Sequence, residues 1–200
     1  MSSAVDVAAD RAGSCAVYSP LRAMIAGVMP VIRIFGGKSP IVGEDTFVAE
    51  TAVLVGDVQV GRRSSLWYGT VLRGDVYHIR IGDDTSIQDN TVVHVTSGRH
   101  ATSVGSRVTV GHSAVLHGCT IEDDCIIGMG AVVMDRAHIG RFCVVGAGAL
   151  VTPDTIIDEG QLVLGTPARA KRALTEEERG WIHTSAQHYV ELARHYLVGK

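Results

Sequence analysis

His94, His112 and His117 are the side chains of this sequence whose type and spacing best support chemistry. Neutral imidazoles ligate zinc, and iron or cobalt as well, and three of them around an open fourth position suit a catalytic site. A lone histidine is more often a satisfied polar group. Three in one region favour a metal, with histidines lining a metal-free subunit interface as the competing reading. Gln88 lies six residues before His94, where its carboxamide would hydrogen-bond a metal-bound water or a substrate, or else satisfy turn backbone. Arg73 and Asp75 flank Gly74, a spacing that disfavours a good bidentate pair between them and directs each toward a neighbouring chain or Asp89. His78 and His138 fall at turn or outward positions, and His183, His188 and His195 on a terminal helix, where surface or packing roles suffice.

The element that must position these groups is a six-residue rhythm. Apolar residues recur at Val42, Val48, Leu54, Val60, Leu66 and Leu72, then at Ile81, Ile87 and Val93, then at Val104, Val110 and Leu116. The last register runs Ile121, Ile127, Val133, Ile139, Val145, Val151, Ile157 and Val163, and glycine often follows, as at Gly43, Gly61, Gly82 and Gly128. Neither a helical period nor strand alternation produces that spacing, and a hexapeptide β-helix does. Each hexad supplies a short strand and a turn, and three hexads close a coil, so residues 18 apart stack and Val42 to Gly165 makes about seven coils. The glycines are expected at turn positions with φ > 0. His94 and His112, 18 apart, are expected on related faces at neighbouring levels, with His117 around a corner. The rhythm breaks at the polar run Thr96–Thr102 and loses a residue between Leu116 and Ile121, and both breaks flank the histidines.

Residues 1–28 keep no periodicity and are expected to be a flexible extension, with the working protein starting near Met29. Residues 29–170 form the expected β-helix and 171–200 a terminal helix. That helix opens on a capping box, Thr175 with Glu178, and carries Trp181, Ile182, Ser185, Tyr189, Leu192, Ala193 and Tyr196 as a stripe docked along the outside. The formal charge of −3 and the scattered basic residues argue against a nucleic-acid footprint or a membrane-surface helix. No apolar run reaches the roughly 18 residues that span a bilayer. Cys15, Cys119, Cys125 and Cys143 show no C-x-x-C spacing; the three at repeat positions read as packed thiols, a pattern that fits a reducing compartment and a cytoplasmic protein.

The stretches V-L-R-G-D at 71–75, I-Q-D-N at 87–90, V-H-V-T at 93–96, V-T-V-G-H at 108–112, L-H-G-C at 116–119 and I-G-M-G-A at 127–131 together resemble the γ-class carbonic anhydrase family, over about residues 29–175. The resemblance implies a left-handed parallel β-helix with an external C-terminal helix, assembled as a homotrimer with metal sites between subunits. His94 and His117 would come from one chain and His112 from its neighbour, binding Zn²⁺, with Fe²⁺ or Co²⁺ possible. Arg73 and Asp75 match the family's intersubunit ion pair and Gln88 its site glutamine. The implied reaction is reversible hydration of CO₂ to bicarbonate by a metal hydroxide. The acidic loop of the best-characterised members is replaced by the short Ser97–Thr102 run, which leaves His100 as the candidate proton shuttle. Val76 and Ser86 also depart from that pattern, standing where those members place a glutamate and an asparagine. Two other readings remain: an acyl-CoA thioesterase or hexapeptide acyltransferase, and a non-enzymatic metal-binding or assembly subunit.

Overall fold

Every apolar residue that sets the six-residue rhythm, from Val42 to Val163, is buried in the computed structural model, which describes residues 29–199. The expected extension over 1–28 lies outside the described residues. The strands stack in parallel into a solenoid of about seven coils, and the hexapeptide repeats fit a left-handed β-helix. Burying each inward Val, Ile or Leu contributes about 1.5–3 kcal/mol, and the stacked column of them is the core. Most strands are two or three residues long. Val53–Val60 and Val71–Ile81 are longer because both run around a corner. Gly56 makes this possible: it sits at φ +74, and a Cβ there would lie 2.5 Å from the Gly74 carbonyl oxygen.

The glycines of the rhythm serve a different purpose from the one expected. Gly43, Gly61, Gly82 and Gly128 have ordinary φ; a Cβ at Gly61 would stand 2.5 Å from the Gly82 carbonyl carbon, so coil-to-coil approach excludes side chains there. The left-handed conformations fall two residues later, on Asp45, Arg63, Asp84 and Arg107 among others. On one corner these residues pair along the axis: Arg63 with Asp84, and Arg107 with Asp124. Asp124 is buried and accepts from Arg107 Nε at 2.6 Å, Arg107 Nη2 at 2.8 Å and Arg141 Nη2 at 3.0 Å. Burial pushes its carboxyl up, but the two guanidiniums outweigh that and hold it below the ordinary range. A lowered folded-state value stabilises above the ordinary carboxylate range and is lost as pH falls below about 4. Asp124→Asn keeps a residue that tolerates φ > 0 and removes the charge. It is expected to cost about 1.5–3 kcal/mol in urea unfolding at neutral pH and to flatten the acid limb of the stability profile.

Three outward columns define three faces. On the first, Val31, Val53, Val71, Val92, Val115, Val132 and Leu150 are in register, an aliphatic stripe that no element among the described residues covers. On the second, the column is mainly polar: Ile41, Gln59, Arg80, Ser103, Thr120, His138 and Ile156. The third carries Phe47, Ser65, Ser86, Thr109, Ile126, Val144 and Leu162, and is covered by the C-terminal helix Glu176–Val198.

That helix begins with the expected capping box, Thr175 Oγ1 accepting from Glu178 N and the Glu178 carboxylate from Thr175 N. Its packed face carries the expected stripe apart from Trp181: Ser185 meets Thr109, Tyr189 and Leu192 pack beside Ala193, and Tyr196 packs on Phe47 and Trp67. Ile182, Ala186 and Ala193 are buried, whereas Trp181 is 55% exposed. A short antiparallel hairpin, Gln161–Gly165 with Ala168–Ala173, closes the solenoid ahead of the helix. Among the described residues no helix is long and apolar enough to cross a membrane, and Cys119, Cys125 and Cys143 are buried free thiols.

Candidate metal centre

His94 ends the strand Val92–His94 and His117 the strand Val115–His117, and the two are direct partners across neighbouring coils. This corrects the expectation from spacing, which stacked His112 on His94. The turn Thr96–His100 lengthens that coil, so the residue above His94 lies 23 positions on, not 18. His112 sits around the corner, beside Asp89, with Nδ1 2.9 Å from Asp89 Oδ2.

His94 Nδ1 and His117 Nε2 are 3.1 Å apart. Their outer nitrogens face carboxylates: His94 Nε2 lies 3.3 Å from Asp75 Oδ1, and His117 Nδ1 2.9 Å from Asp135 Oδ1. Three contacts in a row, from Asp135 to Asp75, need three protons, and two neutral imidazoles carry two. Charging His94 to supply the third is opposed by its burial and then by the Arg73 guanidinium, which lower its pKa despite Asp75. With each histidine donating to its own carboxylate, two lone pairs converge on the space between them. Converging lone pairs of this kind suit a cation. Two nitrogens on a tetrahedral zinc stand roughly 3.3 Å apart, close to the observed separation. The donor set therefore fits a zinc-type ion, with the one carboxylate on each imidazole fixing its tautomer.

One chain brings only two of the three histidines together; among the described residues no group of three His, Cys, Asp or Glu has the geometry to hold a metal. Arg73 and Asp75 form no bidentate pair, as expected, yet they do meet rather than both turning elsewhere, through a single 2.7 Å contact from Nη1 to Oδ2. The bond is monodentate, and leaves Asp75 Oδ1 for His94. Burial raises the Asp75 carboxyl, but hydrogen bonds from Arg73 and His94 outweigh it and keep the group ionised well below neutrality. Gln88 is buried on the His112 side of the chain, with its backbone N–H donating to Val110 O. Its carboxamide meets Tyr189 of the helix. Ser86, two residues earlier, joins a hydroxyl network with Ser65 and the Trp67 indole under the helix. His100 lies near His117: its Cβ is 3.0 Å from where a Cβ at Gly118 would stand, and its Nε2 accepts from Arg136 Nη1 at 3.1 Å.

Reading the sequence missed Asp135, and missed Asp89 as the partner of His112. The available signal for Asp135 was spacing, since it stands one 18-residue coil after His117.

Two family models match the chain, "Bacterial transferase hexapeptide (six repeats)" over residues 118–153 and "Hexapeptide repeat of succinyl-transferase" over residues 101–134. A probable carbonic anhydrase of Methanocaldococcus jannaschii is 46% identical over 152 residues, covering 76% of this chain and 95% of that protein. Gamma carbonic anhydrase 2, mitochondrial, of Arabidopsis thaliana is 51% identical over 162 residues, 78% of this chain. The match spans only 58% of that plant protein's length. Among solved structures, a hexapeptide transferase family protein from Anaplasma phagocytophilum superposes with a TM-score of 0.80 at 44% identity, covering 83% of this chain and 98% of the other.

Proposed function

The chain belongs to the γ-class carbonic anhydrase family, and from that premise we propose that it is a metal-dependent enzyme hydrating CO₂ reversibly to bicarbonate, at sites shared between the subunits of a homotrimer. The observation that carries this reading is the His94–His117 pair, whose lone pairs converge while Asp75 and Asp135 hold the outer nitrogens. The uncovered aliphatic stripe beside that pair is the face a second copy would bury, and the neighbouring copy would bring His112.

A divalent cation held there, Zn²⁺ with Fe²⁺ or Co²⁺ as alternatives, would act as a Lewis acid that makes hydroxide available at neutral pH for attack on the carbon of CO₂. His94 and His117 bind from one subunit and His112 from the next. Asp75 accepts from the Nε2–H of His94 and Asp135 from the Nδ1–H of His117, so each imidazole keeps one nitrogen free. Gln88 travels with His112, and its carboxamide orients CO₂ in the shared site. Arg73, tied to Asp75 by one contact, keeps donors free for Asp89 of the neighbouring copy. His100 carries the released proton to buffer.

The test is stopped-flow CO₂ hydration with metal counted in the same sample, beside a His112→Ala control. A rate well above buffer that vanishes in the variant supports the reading; a filled site with no hydration sinks it and directs attention to thioesters. Removing the shuttle has its own signature. His100→Ala is expected to slow turnover in weak buffer by about tenfold or more, with imidazole restoring it. A rate independent of buffer in both proteins would remove His100 from the mechanism.

A further inference from the structure

Asp135 reaches His117 through a gap that only glycine leaves. Gly118 sits at φ +58, and a Cβ there would collide with Asp135 Oδ1 and come within 3.0 Å of its Cγ. The backbone on either side is pinned: Arg136 N donates to Gly118 O at 2.8 Å, and Asp154 N to Asp135 O at 3.0 Å. The carboxylate is held from the far side as well, with Thr96 Oγ1 3.1 Å from both of its oxygens. Thr96 opens the turn that lengthens the His94 coil, so the insertion that brings His117 over His94 also supplies the group that fixes Asp135.

We propose that Asp135 is a positioning residue for the metal site: it takes the Nδ1–H of His117, fixes that ring's tautomer and direction, and is itself aligned by the Thr96 hydroxyl. This rests on His117 being a metal ligand. Asp135 does not touch substrate, and a purely structural turn residue would affect folding without changing what the folded site binds. Outer-sphere partners of ligating histidines typically change metal affinity by 10–100-fold when removed.

The experiment is Co²⁺ binding to the assembled protein, read by chelator competition and by the visible spectrum, with thermal unfolding recorded on each sample. Asp135→Ala is expected to weaken Co²⁺ by about 10–100-fold and to alter the spectrum. Asp135→Asn keeps an acceptor for His117 and is expected to recover most of the affinity. Thr96→Val leaves the carboxylate and its turn in place, so it carries the test if the alanine variant does not fold; a loss of about threefold or more is expected. Wild-type affinity and spectrum in folded Asp135→Ala, or in Thr96→Val where the former does not fold, would overturn the role, even if thermal stability fell. Wild-type protein that takes up no Co²⁺ in a His112-dependent way would instead overturn the site itself, and that is visible before any Asp135 variant is made.

Discussion

Co-expressing the His94→Ala and His112→Ala chains is expected to restore CO₂ hydration that neither protein has alone. His94 lies against His117, whereas His112 lies around the corner against Asp89. In a ring of three copies, each proposed site takes His94 and His117 from one subunit and His112 from the next. Every site in either pure variant then lacks a ligand. In a mixed ring, the junction where a His112→Ala subunit supplies its intact pair to a His94→Ala subunit's His112 is complete. Random mixing gives such a junction at about one site in four, so roughly a quarter of the wild-type metal content and rate should return. Metal bound within one chain would give no recovery at any mixing ratio. The same samples, counted for metal and assayed for rate, report on assembly and chemistry together.

The second large effect concerns the aliphatic stripe. Val132→Arg places a charge between Val115 and Leu150 in the outward column, one coil beyond the His117 strand. Each aliphatic residue buried there by a neighbouring copy contributes about 1.5–3 kcal/mol. A guanidinium buried without a partner costs several kcal/mol more. Association should weaken by roughly a hundredfold or more, enough to convert a trimer to monomers at micromolar concentration. The variant side chain points away from the inward core of Val133, Leu116 and Val151, so the solenoid itself should stay folded. Monomers would keep His94 and His117 and yet lose tight metal binding. Trimers with full metal in Val132→Arg would show that this face is not the interface.

The two experiments separate ideas that activity alone would merge. Recovery by mixing with Val132→Arg still trimeric would keep the shared site and move the interface. Monomers from Val132→Arg with no recovery by mixing would keep the interface and dissolve the shared site. The polar second face and the helix-covered third face leave the first as the natural place for a partner, because only there does an outward column stay aliphatic from Val31 to Leu150.

The six-residue rhythm by itself determined the solenoid and its inward column. The reason is local: a two-residue strand and a turn fill one hexad, and one apolar residue per strand points to the axis whatever the neighbouring coils do. The capping box was legible for the same reason, since Thr175 and Glu178 interact within one helical turn. The histidines were legible as a group, and the family resemblance paired His94 with His117, but residue spacing alone did not. Register across coils depends on which residues bulge out of a coil, and only the folded chain shows that Thr96–His100 does so, setting His117 rather than His112 on His94. The roles of the repeat glycines were likewise decided by the approach of the next coil's backbone, a contact absent from any six-residue window. Asp135 needed both, a neighbouring coil to carry it and a glycine to admit it. Groups that meet across coils are set by the sum of every loop between them, so tertiary structure, not sequence spacing, decides which side chains share a site.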